Sequence, residues 1–135
     1  MLLKAIAPWF GSKRTLVPYM VEEFGKHQAY WSLFGGSLAD ILGKEPCPME
    51  TATDLHGELI NLAKCLACPT LAPQLYARLI PVLMHEQLIV EAGQRFAARA
   101  ITTAPAVGDL DRAADYMLVS WCGRNGVAGT KSYKF

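Results

Sequence analysis

The hydrophobic residues of this chain arrive in short blocks whose spacing changes from one block to the next. The run His27-Gln28-Ala29-Tyr30-Trp31-Ser32-Leu33-Phe34 is apolar and aromatic-rich and reads as a strand. It stops at Gly35-Gly36 and then Ser37, a residue type that caps helices, and a helix is expected over 38–43. Lys44-Glu45-Pro46-Cys47-Pro48 reads as a loop. Glu50-Thr51-Ala52-Thr53 is a second, shorter strand-like run that ends at Asp54. Upstream, residues 2–10 look extended, and Gly11-Ser12 punctuate them. Residues 13–24 have helical spacing (Leu16, Val17, Met20, Val21, Phe24), with Pro18 tolerated in a first turn and Gly25 as the stop. Downstream, Leu55, Leu59, Leu62 and Leu66 fall on one face of a helix over 55–66. The pattern stays helical over 73–100, in two pieces parted near Pro81. Residues 101–108 form a turn-rich connector, and Asp109 or Asp111 can cap a last helix through Tyr116, Met117 and Val119 towards Cys122. From Gly123 the chain is glycine-rich and cationic (Arg124, Lys131, Lys134, with no acid to match) and reads as loop.

A strand, a glycine turn, a helix and an acid closing the next strand make half of a nucleotide-binding βαβ unit. Glycines let backbone approach a ligand closely, and an acid about 20 residues further on accepts hydrogen bonds from ribose hydroxyls. That spacing sets Gly35, Gly36 and Asp54 beside one adenosine. Plainer roles fit the same residues: Gly35-Gly36 as a strand–helix turn, and Asp54 as the N-cap of the helix that follows.

Composition narrows the field. With 135 residues and 52% hydrophobic content, the chain is long enough for one domain with a real core. A net charge of +1 gives no global electrostatic case for nucleic acid. Cys47, Cys65, Cys68 and Cys122, without a secretory signal pattern, favour reduced thiols and a cytoplasmic location. Charges or prolines interrupt every apolar run before it reaches spanning length, so no membrane partner is expected. Cys65 and Cys68 read as small hydrophobes three apart on a helix. A zinc site needs a second ligand pair, and Cys47, Cys122, His27, His56 and His85 are isolated, so no metal is expected.

Four segments share an order with a known family. Ala7-Pro8-Trp9-Phe10-Gly11-Ser12-Lys13 resembles the opening W-x-G-x-K motif of the Dam-like DNA adenine-N6 methyltransferases. Y-W-S-L-F-G-G-S-L-A-D-I-L, from Tyr30 to Leu42, aligns without a gap to the phage-type form of the next motif, roughly Y-V-E-P-F-G-G-S-L-A-V-L-L. T-D-L-H-G-E-L-I-N-L, from Thr53 to Leu62, is similar to the third, an acid followed by a helix. S-W-C-G-R-N-G-V-A-G-T, from Ser120 to Thr130, resembles the glycine-rich segment that leads towards target recognition. Together these span nearly the whole chain.

The resemblance implies an α/β, Rossmann-like domain that uses S-adenosylmethionine, incomplete and helix-rich with a few short strands. Its parts are cofactor-binding motifs over 7–62, a helical region over 70–122 and a recognition segment over 120–135. It further implies that Trp9 packs on the cofactor and Lys13 lies near the methionine carboxylate. Phe34-Gly35-Gly36 is then the close-approach turn, and Asp54 holds the ribose. Arg124, Asn125 and Lys131 are implied at duplex DNA, and restriction–modification in phage or bacteria is the setting. Burial of Trp9 in a core, solvation of Lys13 and solvation of the tail cations are the plainer readings. Two departures stand out. Ser32-Leu33 occupies the place of the family's Glu-Pro, and the catalytic D-P-P-Y tetrad is missing, since no two of the prolines are adjacent. The chain is therefore expected to be the N-terminal, cofactor-binding part of such an enzyme. It is expected to have no catalytic residues of its own, to bind DNA weakly, and to need a C-terminal half or a partner chain. Exposed sheet edges invite self-association. A non-catalytic module that binds S-adenosylmethionine or DNA, or a decayed remnant, is the alternative.

Overall fold

Tyr30 and Trp31 favour a pleated backbone, and the strand that holds them, β1 (Ala29–Ser32), pairs in parallel with β2 (Met49–Ala52). Ala29 faces Met49 and Ser32 faces Ala52 in the ladder. Parallel strands require a crossover, which α2 (Ala39–Gly43) and the proline loop after it supply. The computed structural model describes residues 3–123, and over them the architecture is helix-rich and α/β-like, with this one two-stranded sheet.

A 3₁₀ turn over Lys13–Thr15, capped by the Ser12 hydroxyl, leads into α1 (Val17–Phe24). Pro18 sits in the first turn of α1, and Gly25 ends the helix at φ 54°, a left-handed conformation that glycine adopts without steric cost. After β2 come α3 (Gly57–Ala67), α4 (Leu71–Leu79), α5 (Glu86–Ala97) and α6 (Leu110–Cys122). Asp109 caps α6, accepting from the N–H groups of Asp111 and Arg112. Residues 80–85, including Pro81, separate α4 from α5.

The core is built where these helices meet. Leu59, Leu62 and Cys65 of α3, Leu75 of α4, Ala92 and Phe96 of α5, and Ala113, Tyr116 and Val119 of α6 form one buried cluster. Ile6, Ala7 and Leu38 extend it to the βαβ unit, with Trp9 and Ala52 packed against it. Buried polar groups on these helices are matched. Asn61 donates to the Asp109 carbonyl at 2.9 Å and accepts from the Asp109 N–H at 2.8 Å, and the buried Glu58 carboxylate pairs with Arg112.

Residues 3–10 join no sheet, and the Ile6 N–H donates to the Ser37 carbonyl. Other expectations are corrected. Leu55 precedes α3 and is 84% exposed, and Leu66 is also exposed, so the buried face of α3 runs through Glu58, Leu59, Asn61, Leu62 and Cys65. Ser37 does not cap α2; that place belongs to Leu38, in a left-handed conformation at φ 56°. Among the described residues no helix is long and apolar enough to cross a membrane, and no group of side chains could hold a metal ion. Arg124, Asn125 and Lys131 lie outside the described residues.

Candidate functional site

The carboxyl ends of β1 and β2 open into a cleft of about 310 Å³. Its walls come from three stretches of chain: Trp9 and Gly11-Ser12-Lys13, then Phe34-Gly35-Gly36-Ser37, then Asp54. All six candidate cofactor residues therefore meet in one place, at the end of a parallel sheet where open α/β folds bind ligands.

Backbone hydrogen bonds hold the two strand-end loops together. The Thr53 N–H donates to the Ser32 carbonyl at 2.8 Å, and the Gly35 N–H donates to the Thr53 carbonyl at 2.8 Å. Asp54 adds a side-chain tie: Oδ2 accepts from the Gly36 N–H and Oδ1 from the His56 N–H, both at 2.8 Å. Gly36 is left-handed at φ 51°, and a Cβ there would meet Trp9 Nε1 at 3.1 Å. Glycine thus serves both the turn and the close approach of the Trp9 ring. Phe34 stands at the rim, 79% exposed.

Asp54 is not the cap of α3. His56 is, its Nδ1 accepting from the Leu59 N–H at 3.3 Å. The imidazole packs edge-on to Trp9 with centroids 5.7 Å apart, and lies 5.3 Å from the Tyr116 ring. Burial lowers the His56 pKa, against the opposing pull of the Asp54 and Glu58 charges, so the neutral, accepting ring is favoured.

Lys13 is not a solvated cation. Its Nζ donates to Asp40 Oδ2 at 2.8 Å and lies 3.4 Å from Ser32 Oγ. Ser12 and Ser37 share a hydrogen bond at 2.7 Å that closes the floor beside it. Burial pushes the Asp40 carboxyl up, but hydrogen bonds from Lys13 and Ser32 and the Lys13 charge outweigh that and hold it below the ordinary carboxylate range. Tyr30, half-buried against the same carboxylate, is pushed up to about 12 by desolvation and by that neighbouring charge.

Asp40, Ser37 and His56 are site residues that motif reading left out. Asp40 and Ser37 sit within the glycine-turn segment, but local spacing does not show that their partners are Lys13 and Ser12. Elsewhere Cys65 is buried in the core as a small hydrophobe on α3, whereas Cys68 follows that helix, half-buried, with its Sγ hydrogen-bonded to Thr70 Oγ1 at 3.2 Å, so the core reading fails for it.

The donor and acceptor inventory suits an adenosyl ligand. A carboxylate offers about four lone-pair sites, and Asp54 uses two on the loops, leaving two for hydroxyl donors. An ammonium has three N–H donors; Lys13, which lines the cleft, uses two on Asp40 and Ser32, leaving one for a ligand. No protein-family model matches the chain, and no curated protein matches its sequence.

Proposed function

We propose that this cleft binds S-adenosylmethionine, and that the chain is the cofactor-binding part of a Rossmann-like DNA adenine-N6 methyltransferase. The observation that carries the reading is the convergence of Trp9, Lys13, Phe34, Gly35, Gly36 and Asp54, drawn from three separated motifs, on one cleft at the carboxyl end of the β1–β2 pair. The order of the four motifs along the sequence supplies the adenine chemistry.

When bound, the cofactor supplies a sulfonium methyl group for direct transfer. The residues of this chain hold the donor. Asp54 accepts from the ribose hydroxyls, Trp9 covers the turn beside Gly36, and Lys13 faces the carboxylate end. Adenine N6 is a poor nucleophile, because its lone pair is delocalised into the ring. A flipped base has to be held and its amino hydrogens accepted before transfer. The 135 residues hold no Pro-Pro pair, hence no D-P-P-Y tetrad for that task. Methyl transfer by this chain alone is accordingly not expected.

Calorimetry with S-adenosylmethionine and S-adenosylhomocysteine tests the reading directly. Saturable binding with Kd below about 1 mM is expected, with a ligand-dependent rise in melting temperature. Absence of both heat and stabilisation at millimolar ligand would overturn it. The missing tetrad equally favours a second reading, a module that binds the cofactor or DNA without catalysis. A D-P-P-Y motif in adjoining coding sequence, and turnover of radiolabelled donor when that segment is added, would decide for the enzyme.

A further inference from the structure

We infer that Asp40 is a positioning residue, the acid that fixes Lys13 at the cleft wall. The inference rests on the cofactor reading of the cleft, and extends it to the recognition of one part of the ligand.

Asp40 sits in the first turn of α2 with its side chain 1% exposed. A carboxylate so buried needs several donors, and it has four, three of them from side chains. Lys13 Nζ reaches Oδ2 at 2.8 Å, Ser32 Oγ at 2.7 Å and Tyr30 Oη at 3.1 Å. Asp40 Oδ1 also accepts from the Ile41 N–H at 3.1 Å. The Lys13 side chain, by contrast, is 30% exposed and lines the cleft. One end of this ion pair is locked into the fold while the other is presented to ligand.

The comparison with the motif is specific. Where the phage-type pattern reads E-P-F-G-G-S-L-A-V, this chain reads S-L-F-G-G-S-L-A-D, so glutamate is replaced by Ser32 and valine by Asp40. Both patterns hold one acid, at positions that meet in space: Ser32 Oγ is 2.7 Å from Asp40 Oδ2 and 3.4 Å from Lys13 Nζ. In this chain the acid stands at the start of α2 and reaches the lysine from there. Ser32, shorter than the motif's glutamate, leaves room for that carboxylate and donates to it.

The ligand part follows from charge. The ribose-facing features, Gly36 and Asp54, occupy the strand-end side of the cleft, and Asp54 is itself an anion. Lys13 is the cation among the cleft residues, so it selects the anionic end of the ligand, the amino-acid carboxylate.

The test compares S-adenosylhomocysteine, which carries that carboxylate, with 5′-methylthioadenosine, which does not. Asp40→Asn is expected to weaken the first about tenfold and the second less than about twofold, the loss of one well-placed charge-assisted contact. Asp40→Val combined with Ser32→Glu should restore the homocysteine ligand, whereas Asp40→Val alone should not. A readout independent of ligand is amine acylation followed by mass spectrometry. Lys13 should react slowly in the parent, faster in Asp40→Asn, and slowly again in the paired variant. Equal loss of both ligands, or failure of the paired variant to restore binding and protection, would overturn the inference. If Asp40→Asn does not fold by circular dichroism, the paired variant decides alone. If the parent binds neither ligand the cofactor reading fails, while the acylation series still decides whether Asp40 holds Lys13.

Discussion

Replacing Asp54 by asparagine separates the two tasks of this side chain. Its carboxylate accepts from the Gly36 and His56 N–H groups, one per oxygen, each at 2.8 Å. Asparagine keeps one oxygen, so one of those N–H groups faces an amide donor instead. A hydrogen bond to a charged group contributes about 1.5–3 kcal/mol, and Asp54 is half-buried, so the loss in stability is about 1–2 kcal/mol. At roughly 4 °C per kcal/mol for a domain of this size, the melting temperature falls by about 4–8 °C. Binding is a separate quantity. Two ribose hydroxyls that lose a carboxylate acceptor weaken an adenosyl ligand by about 1.5–3 kcal/mol, roughly 10- to 150-fold in Kd. Calorimetry with S-adenosylhomocysteine, run well below the variant's melting temperature, measures the second effect without the first. A 2′,3′-dideoxy analogue should bind parent and variant alike. If Asp54→Asn melts early yet binds S-adenosylhomocysteine as tightly as the parent does, Asp54 is a loop tie only, and the ribose assignment is wrong.

Three further outcomes follow from other parts of the molecule. Burial holds the His56 pKa below its ordinary value, so the unfolded chain takes up that proton first; stability is full above about pH 6.5 and declines as pH falls through the folded value. Urea midpoints between about pH 7.5 and 5 should fall less steeply for His56→Gln than for the parent, and equal slopes would remove His56 as the cause. Leu62→Ala, at a fully buried core position, should cost about 2–5 kcal/mol in denaturant melts, against less than about 0.5 kcal/mol for Leu55→Ala on the surface. For the tail, Arg124→Ala with Lys131→Ala should weaken duplex binding by fluorescence anisotropy and flatten its salt dependence; unchanged affinity would take the tail out of the interface.

Sequence spacing was a good guide where structure is local and a poor one where partners are distant. The β1–turn–α2–β2 order, the halves of the helical region about Pro81 and the Asp109 cap were legible, because each depends on residues within a few positions of one another. The register of α3 was not. Leu55 and Leu66 fit the apolar period, but the His56 cap starts the helix after Leu55; of that series only Leu59 and Leu62 are in the core, joined there by Cys65. Ser37 misled for a similar reason. Its hydroxyl bonds to Ser12 across the cleft, and α2 begins instead from a left-handed Leu38, a conformation that costs about 1 kcal/mol or more and persists only where its surroundings enforce it. The partners of Asp40 lie on β1 and in the N-terminal segment, so its role belongs to tertiary structure.

The same distinction explains what keeps the cleft in shape. A two-stranded sheet is marginal on its own, and β1 and β2 each contribute only four residues. Trp31, Leu33 and Met49 are exposed on or beside it, so little of its stability comes from burial of those side chains. The wall that carries Asp54 is instead fixed from its far side. Immediately after Asp54, the Gly57 N–H donates to the Ile101 carbonyl, Glu58 pairs with Arg112, and Asn61 clasps the backbone of Asp109. A Cβ at Gly57 would come 2.6 Å from the Ala104 backbone, so this junction admits no larger residue without movement. His56 then transmits the fit inward, with Trp9 on one side and Phe96 and Tyr116 on the other. The helical region is thus the buttress of the cleft: it anchors the start of α3, and α3 holds Asp54 against the glycine turn.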